Sequence, residues 1–370
     1  MPTSKLKAVI NIETKALPLT MTFRMQLRSF ARAVLLRWVQ FKHPGLRADL
    51  SSMIRDNLFA RLLQGKYIVQ DYLQKRPYKI IKYHGEFQQE LLFTLPFAYW
   101  HHLNGTLRQT ISCNGTKDLY FFSPEHLERF DKRTLSGTTS AFHIPNMTHS
   151  NRYSYRKWRQ VPLKKQYANN IFVFEKPVLV IANKYNKEWS LPPINYFDPA
   201  ILKEIITLCQ DKFQIIYNRP LPKHIVEDNS EIFDLQEHEW IRQSFPGVIL
   251  LDDLYHKHSE QVNSFNHLQL MVYANTNHFI SVHGGTAALA SYFGGTNIIL
   301  SNPNYGRETL LGEYKTIFPR LSGARILHAH FREDIPALIE QHFLSNHASY
   351  LSQKTNQKAG LSQPKPQNLM

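Results

Sequence analysis

His283-Gly284-Gly285-Thr286 sits where the β-branched stretch Phe279–Val282 gives way to the small-residue stretch Ala287–Tyr292. Glycine lets the chain take a positive φ and lets a ligand approach the backbone closely. A helix starting there offers free N–H groups and the positive end of its dipole, which favour an anion. Thr286 can cap that helix or donate its hydroxyl. A diphosphate joining a nucleoside to another group is the natural ligand, although two glycines alone also serve merely to tighten a turn. A second pair, Gly294-Gly295, reads as a helix C-cap before the strand Thr296–Leu300.

Other chemistry-bearing residues fall at matching places. Arg219 follows the strand-like "FQIIYN" and suits bidentate contact with phosphate oxygens, or equally a surface loop. Glu308 and Glu313 follow Gly306, where a carboxylate can take hydrogen bonds from ribose or sugar hydroxyls; as helical surface acids they need no such role. Earlier in the chain, "YKIIKYHGEF" ends a strand in His84-Gly85-Glu86, which makes Glu86 or His84 a candidate general base. Glu86 also suits a helix start through the dipole. Glu90, one turn later, is a reserve base or an acceptor ligand. Tyr99, Trp100, His101 and His102 read either as a sugar-stacking platform or as core aromatics.

The elements that must hold these residues fall into four regions. Residues 1–76 read as helical and basic, and Lys and Arg outnumber acids nine to one over residues 1–48. Within them, Leu19–Phe41 places Arg24, Arg28 and Arg32 on one helical face. Three readings stand for this segment: a helix packed on the core with a solvated arginine stripe, a helix on an anionic membrane surface, or a targeting peptide. Residues 77–175 read as a small β-α-β unit, with strands at Tyr78–Tyr83 and Asp118–Phe122, then a long irregular stretch from residue 131. From residue 176 to 343, short apolar strands alternate with helices, the pattern of a parallel sheet covered on both faces. The polar tail, residues 344–370, reads as disordered.

The bulk numbers are ordinary for a soluble globular protein, and the length allows two domains: 370 residues, 43% hydrophobic and 20% charged. The net charge of +15 attracts nucleic acid, anionic lipid and phosphorylated substrates alike. No charge-free apolar stretch is long enough for a transmembrane helix. Cys113 and Cys209 are too few for a metal or disulfide framework. Three Asn-x-Thr sequons, at Asn104, Asn114 and Asn146, read as ordinary turns on the expectation that no signal peptide is present.

"IIYNRP", "HFISVHGGTAALASYFGGTNIIL" and the following "GEY…LSGARI" resemble the nucleotide-sugar half of glycosyltransferases of the GT-B architecture. "YHGEFQQELLFTLPFAYW" and "LYFFSPEH" would then lie in the acceptor half, as in poorly characterised bacterial and viral surface-polysaccharide transferases. The resemblance covers roughly residues 78–343. It implies an α/β fold with two facing Rossmann-like domains. It also implies sugar transfer from a nucleotide-sugar donor to a hydroxyl of a glycan or lipid-linked acceptor, with no metal or cofactor. The chain has no Asp-x-Asp motif; Asp252-Asp253 are adjacent and read as a strand end. It departs from the family in spacing Glu308 and Glu313 by five, where the family pattern is Glu-x7-Glu. A pyruvyl or phosphate-group transferase and a basic nucleic-acid-binding protein are the competing readings; no recognised nucleic-acid module is present. The expected location is cytoplasmic, either free or peripheral at the inner face of a membrane, with a lumenal location as the alternative if Leu19–Phe41 acts as a signal anchor.

Overall fold

The computed structural model describes residues 23–134, 143–147, 153–187, 192–220, 231–303 and 308–345. The expected disordered tail lies outside these residues apart from its first two positions, and the side chain of Glu308 is outside them too.

Two helices open the described chain, α1 (Phe23–Lys42) and α2 (Ala48–Lys66), packed as a hairpin. Three parallel strands follow, β1 (Lys79–Lys82), β2 (Leu107–Cys113) and β3 (His126–Phe130), in the order β1-β2-β3. Between β1 and β2 runs a nearly continuous helical stretch: α3 (Phe87–Gln89), a π-turn over Glu90–Thr94, and α4 (Leu95–Leu103). Pro96 lies in the first turn of α4 and lacks an N–H. The Leu92 carbonyl four residues back takes the Trp158 indole N–H instead, at 2.8 Å.

The small sheet differs from expectation. The expected strand at Asp118–Phe122 is a 3₁₀ turn over Lys117–Tyr120. A short apolar run does not distinguish a strand from a turn whose Leu119 and Tyr120 point into the core. The actual β2 hides its signal because Thr110 and Ser112 are buried polar residues. Their hydroxyls are satisfied by Ser123, His126 and Glu90. The charged β3 forms the edge. The stretch after residue 153 includes α5 (Leu163–Tyr167), which packs on a helix of the second sheet.

The larger sheet has six parallel strands: β4 (Val178–Ala182), β5 (Gln214–Asn218), β6 (Ile249–Leu250), β7 (His278–Val282), β8 (Thr296–Leu300) and β9 (Arg325–Ala329). Helices α6 (Pro199–Cys209), α7 (Glu237–Ser244), α8 (Leu251–Lys257), α9 (Phe265–Ala274), α10 (Gly285–Tyr292), α11 (Glu308–Leu321) and α12 (Asp334–Ile339) connect and follow them. Asp198 caps α6, accepting from Ala200 N and Ile201 N, with Pro199 at the first position. Asp252 and Asp253 open α8 and do not end a strand; carboxylates suit the first turn of a helix.

The order β6-β5-β4-β7-β8-β9 is that of a doubly wound, Rossmann-like sheet. The chain winds outward from β4 in one direction, then returns to β7 and winds the other way. The switch point therefore lies between the carboxyl ends of β4 and β7. The two sheets share a buried apolar core. One buried cluster runs from Ile81, Leu91 and Phe97 through Val180 and Phe279 to Ala287 and Ala288. Among the described residues, no helix is long and apolar enough to cross a membrane.

Candidate functional site

At the switch point, β7 delivers His283 and Gly284 directly into α10. Gly284 has φ +127° and ψ −158°, a conformation that side-chain-bearing residues rarely hold. At the far end of α10, Gly295 has φ +70°, and a Cβ there would lie 2.2 Å from the Asn277 carbonyl. The two glycine pairs thus have separate causes: one sets the strand-to-helix turn, the other lets the chain pass the start of β7. The first-turn N–H groups of α10 have no intrahelical acceptor, and the N-cap residue, Gly284, has no side chain to accept from them. Gly284, Gly285 and Thr286 are half-buried.

Neighbouring elements fix this turn. The Tyr314 hydroxyl, from α11, donates to the Gly284 carbonyl at 2.6 Å. Burial drives the Tyr314 phenol well above its ordinary pKa, helped by Glu313 and Glu86, so it stays a donor. His283 is buried, with Nδ1 3.0 Å from Ser301 Oγ and its ring edge-on to Tyr314. His283 is thus a positioned residue of the turn. Lys184, two residues beyond β4, brings its ammonium to 3.2 Å from where a Cβ on Gly284 would stand. Asn183 beside it accepts from Lys184 N and Phe197 N and donates to the Phe197 carbonyl, which fixes the chain's exit from β4.

The carboxyl end of β1 faces α10 from the smaller sheet. Phe87 lies against Gly285; a Cβ there would sit 2.8 Å from the Phe87 ring. Part of the α10 start is therefore covered by the protein's own side chain, leaving Gly284 and Lys184 beside it. Glu86 is half-buried, and its charge is felt by Tyr314. His84 stacks on Phe130 at 4.4 Å. Burial, then Lys82, hold the His84 imidazole below its ordinary pKa and so neutral near pH 7.

Two of the candidate residues are taken up by internal ion pairs. Glu90 is fully buried: Ser112 Oγ and Tyr120 OH donate to Oε1, and Arg133 pairs with Oε2 at 2.7 Å. It faces the interior of the small sheet, away from acceptor access. Arg219 is 5% exposed and held by the buried Glu237, with Asp234 3.2 Å away. Burial opposes its charge, but Glu237 more than offsets this. That guanidinium is committed to an internal ion pair with Glu237. Glu313 accepts from Tyr153 OH at 2.9 Å. Glu308 begins α11. In the aromatic run, His101 is fully buried against Thr106 and Trp100 is 8% exposed, which makes them core.

Lys184 and Arg133 were not singled out from the sequence. Arg133 pairs with Glu90, donates to the Gly85 carbonyl at 2.9 Å and lies over the Phe87 ring. It holds the 84–87 turn against α10. Among the described residues, no group of three or more His, Cys, Asp or Glu side chains could hold a metal ion. A cleft lined by Lys176, Gln210, Gln214 and Gly247 lies at the opposite, amino-terminal edge of the larger sheet, away from the switch point.

Comparison with known protein families, with characterised proteins and with solved structures finds no match.

Proposed function

We propose that the chain is a glycosyltransferase with a GT-B-like arrangement, using a nucleotide-sugar donor and a glycan or lipid-linked hydroxyl acceptor. The observation that carries this reading is the coincidence, at one switch point, of a glycine-only turn, a helix start and the Lys184 ammonium. Ligands of doubly wound sheets sit in that crevice, and a diphosphate suits both the helix start and the cation.

In an inverting transfer, Glu86 or neutral His84 takes the proton of the acceptor hydroxyl. The acceptor oxygen attacks the anomeric carbon, and the bond from that carbon to the diphosphate oxygen breaks. The electron pair leaves with the nucleoside diphosphate, whose charge Lys184 and the first N–H groups of α10 offset. The donor half of this scheme uses Gly284, Thr286 and Lys184, with Tyr314 as a positioning residue. Arg219 has no part in it.

Turnover of a nucleotide-sugar panel by the full chain tests the reading, with Glu86→Gln and His84→Gln alongside. Nucleoside diphosphate should be released from at least one donor, and either Glu86→Gln or, where the imidazole is the base, His84→Gln should lower turnover about 100-fold or more while donor affinity stays within a few-fold. If no donor turns over and none binds, the reading fails.

A further inference from the structure

We propose that α1 docks the protein on an anionic lipid bilayer. The inference is independent of the transferase reading and rests on which face of α1 the fold leaves open. Leu27 (57% exposed), Phe30 (68%), Val34 (50%), Trp38 (48%) and Phe41 (82%) are all solvated. At about 100° per residue they fall within roughly an 80° arc, a stripe about 21 Å long.

The packed face is another one. Val39 is fully buried, and Arg32 pairs with Asp56 of α2 at 3.0 Å. An arginine of the expected solvated stripe is thus turned toward the protein, and the apolar stripe is turned outward. Arg37 borders the stripe on one side and Lys42 on the other, with Arg28 beyond it; all three are exposed.

Charge selects the occupant. α1 carries five cations and no acid. A second copy laid on this stripe would face like charge with like. An anionic bilayer offers apolar depth for Phe30, Trp38 and Phe41 and negative headgroups for the bordering cations. Trp38 is suited to the headgroup level.

The test is cosedimentation of the full chain with vesicles of phosphatidylcholine alone, and of phosphatidylcholine with phosphatidylglycerol in equal parts. Binding should be confined to the anionic vesicles and weaken with salt. The double substitution Phe30→Ser/Trp38→Ser should reduce partitioning roughly tenfold or more, with the helical circular dichroism unchanged. Arg37→Glu/Lys42→Glu should reduce it comparably at low salt and little at high salt. The proposal is overturned if the wild-type chain ignores anionic vesicles at low salt, or if Phe30→Ser/Trp38→Ser leaves binding intact. It is also overturned by a dimer that the same double substitution dissociates in the absence of vesicle binding, which would make a second copy the occupant.

Discussion

Replacing Arg133 with Met should unfold the protein far more readily than its place on a surface turn would suggest. Glu90 is fully buried and Arg133 is 5% exposed, and their ion pair spans 2.7 Å. Met fills most of the side-chain volume but leaves the Glu90 carboxylate without its cation. Removing one partner of a buried pair costs about 3–5 kcal/mol, because the remaining charge stays desolvated. The bond to the Gly85 carbonyl and the cover over Phe87 go with it. In urea, at a slope of about 3 kcal/mol/M, the midpoint should fall by roughly 1–2 M. Adding Glu90→Gln to Arg133→Met removes the stranded charge and should restore at least about half of the loss. A shift for Arg133→Met below about 0.3 M, or a double variant no better than the single one, would refute the claim that this pair holds the 84–87 turn.

Two further outcomes follow from the same geometry. Gly284→Ala places a Cβ at φ +127° and 3.2 Å from the Lys184 ammonium, so it should cost about 1–3 kcal/mol by thermal or chemical melting. A melt within 0.5 kcal/mol of wild type would show that the turn relaxes. Lys79, 5% exposed over the Tyr67 ring, titrates below its ordinary 10.5, at about 8, chiefly through burial. The folded state therefore holds fewer protons than the unfolded state between those two values, and stability rises with pH across that window. Relative to Lys79→Met, the wild-type chain should gain stability from pH 8 to 10.5, and a flat difference would contradict the burial of that charge.

Much of the larger sheet was legible in the sequence because its strands are covered on both faces and so read as unbroken apolar runs, such as Val178–Ala182 and Phe279–Val282. The smaller sheet was not, because β2 buries Thr110 and Ser112 against hydroxyl and carboxylate partners that lie 13 to 22 residues away in sequence. The glycine turn at the end of β7 was readable from local chemistry. Lys184 was not, although a cation two residues past an apolar strand was a usable signal. Its meaning depends on β4 lying next to β7, and strand order is a non-local property. The ion pair that occupies Arg219 was hidden for the same reason. The partner Glu237 lies eighteen residues on, in α7, and nothing near Arg219 marks that residue as buried. The apolar stripe of α1 shows the limit of periodicity. The spacing defined two faces, but only the contact with α2 decides which of them is solvated.

The central claim is that a diphosphate lodges at the start of α10 beside Lys184. Thermal shift of the full chain with nucleoside diphosphates, comparing wild type with Lys184→Ala, tests it most directly. At about 100 times its dissociation constant, a bound diphosphate should stabilise the wild-type chain by roughly 2.7 kcal/mol. Loss of one charge-assisted contact, about 1.5–3 kcal/mol, should weaken binding by roughly 10- to 150-fold in Lys184→Ala and cut that shift to about 0.3–1.4 kcal/mol. A shift retained in full by Lys184→Ala, or no shift with any nucleoside diphosphate, would contradict the account.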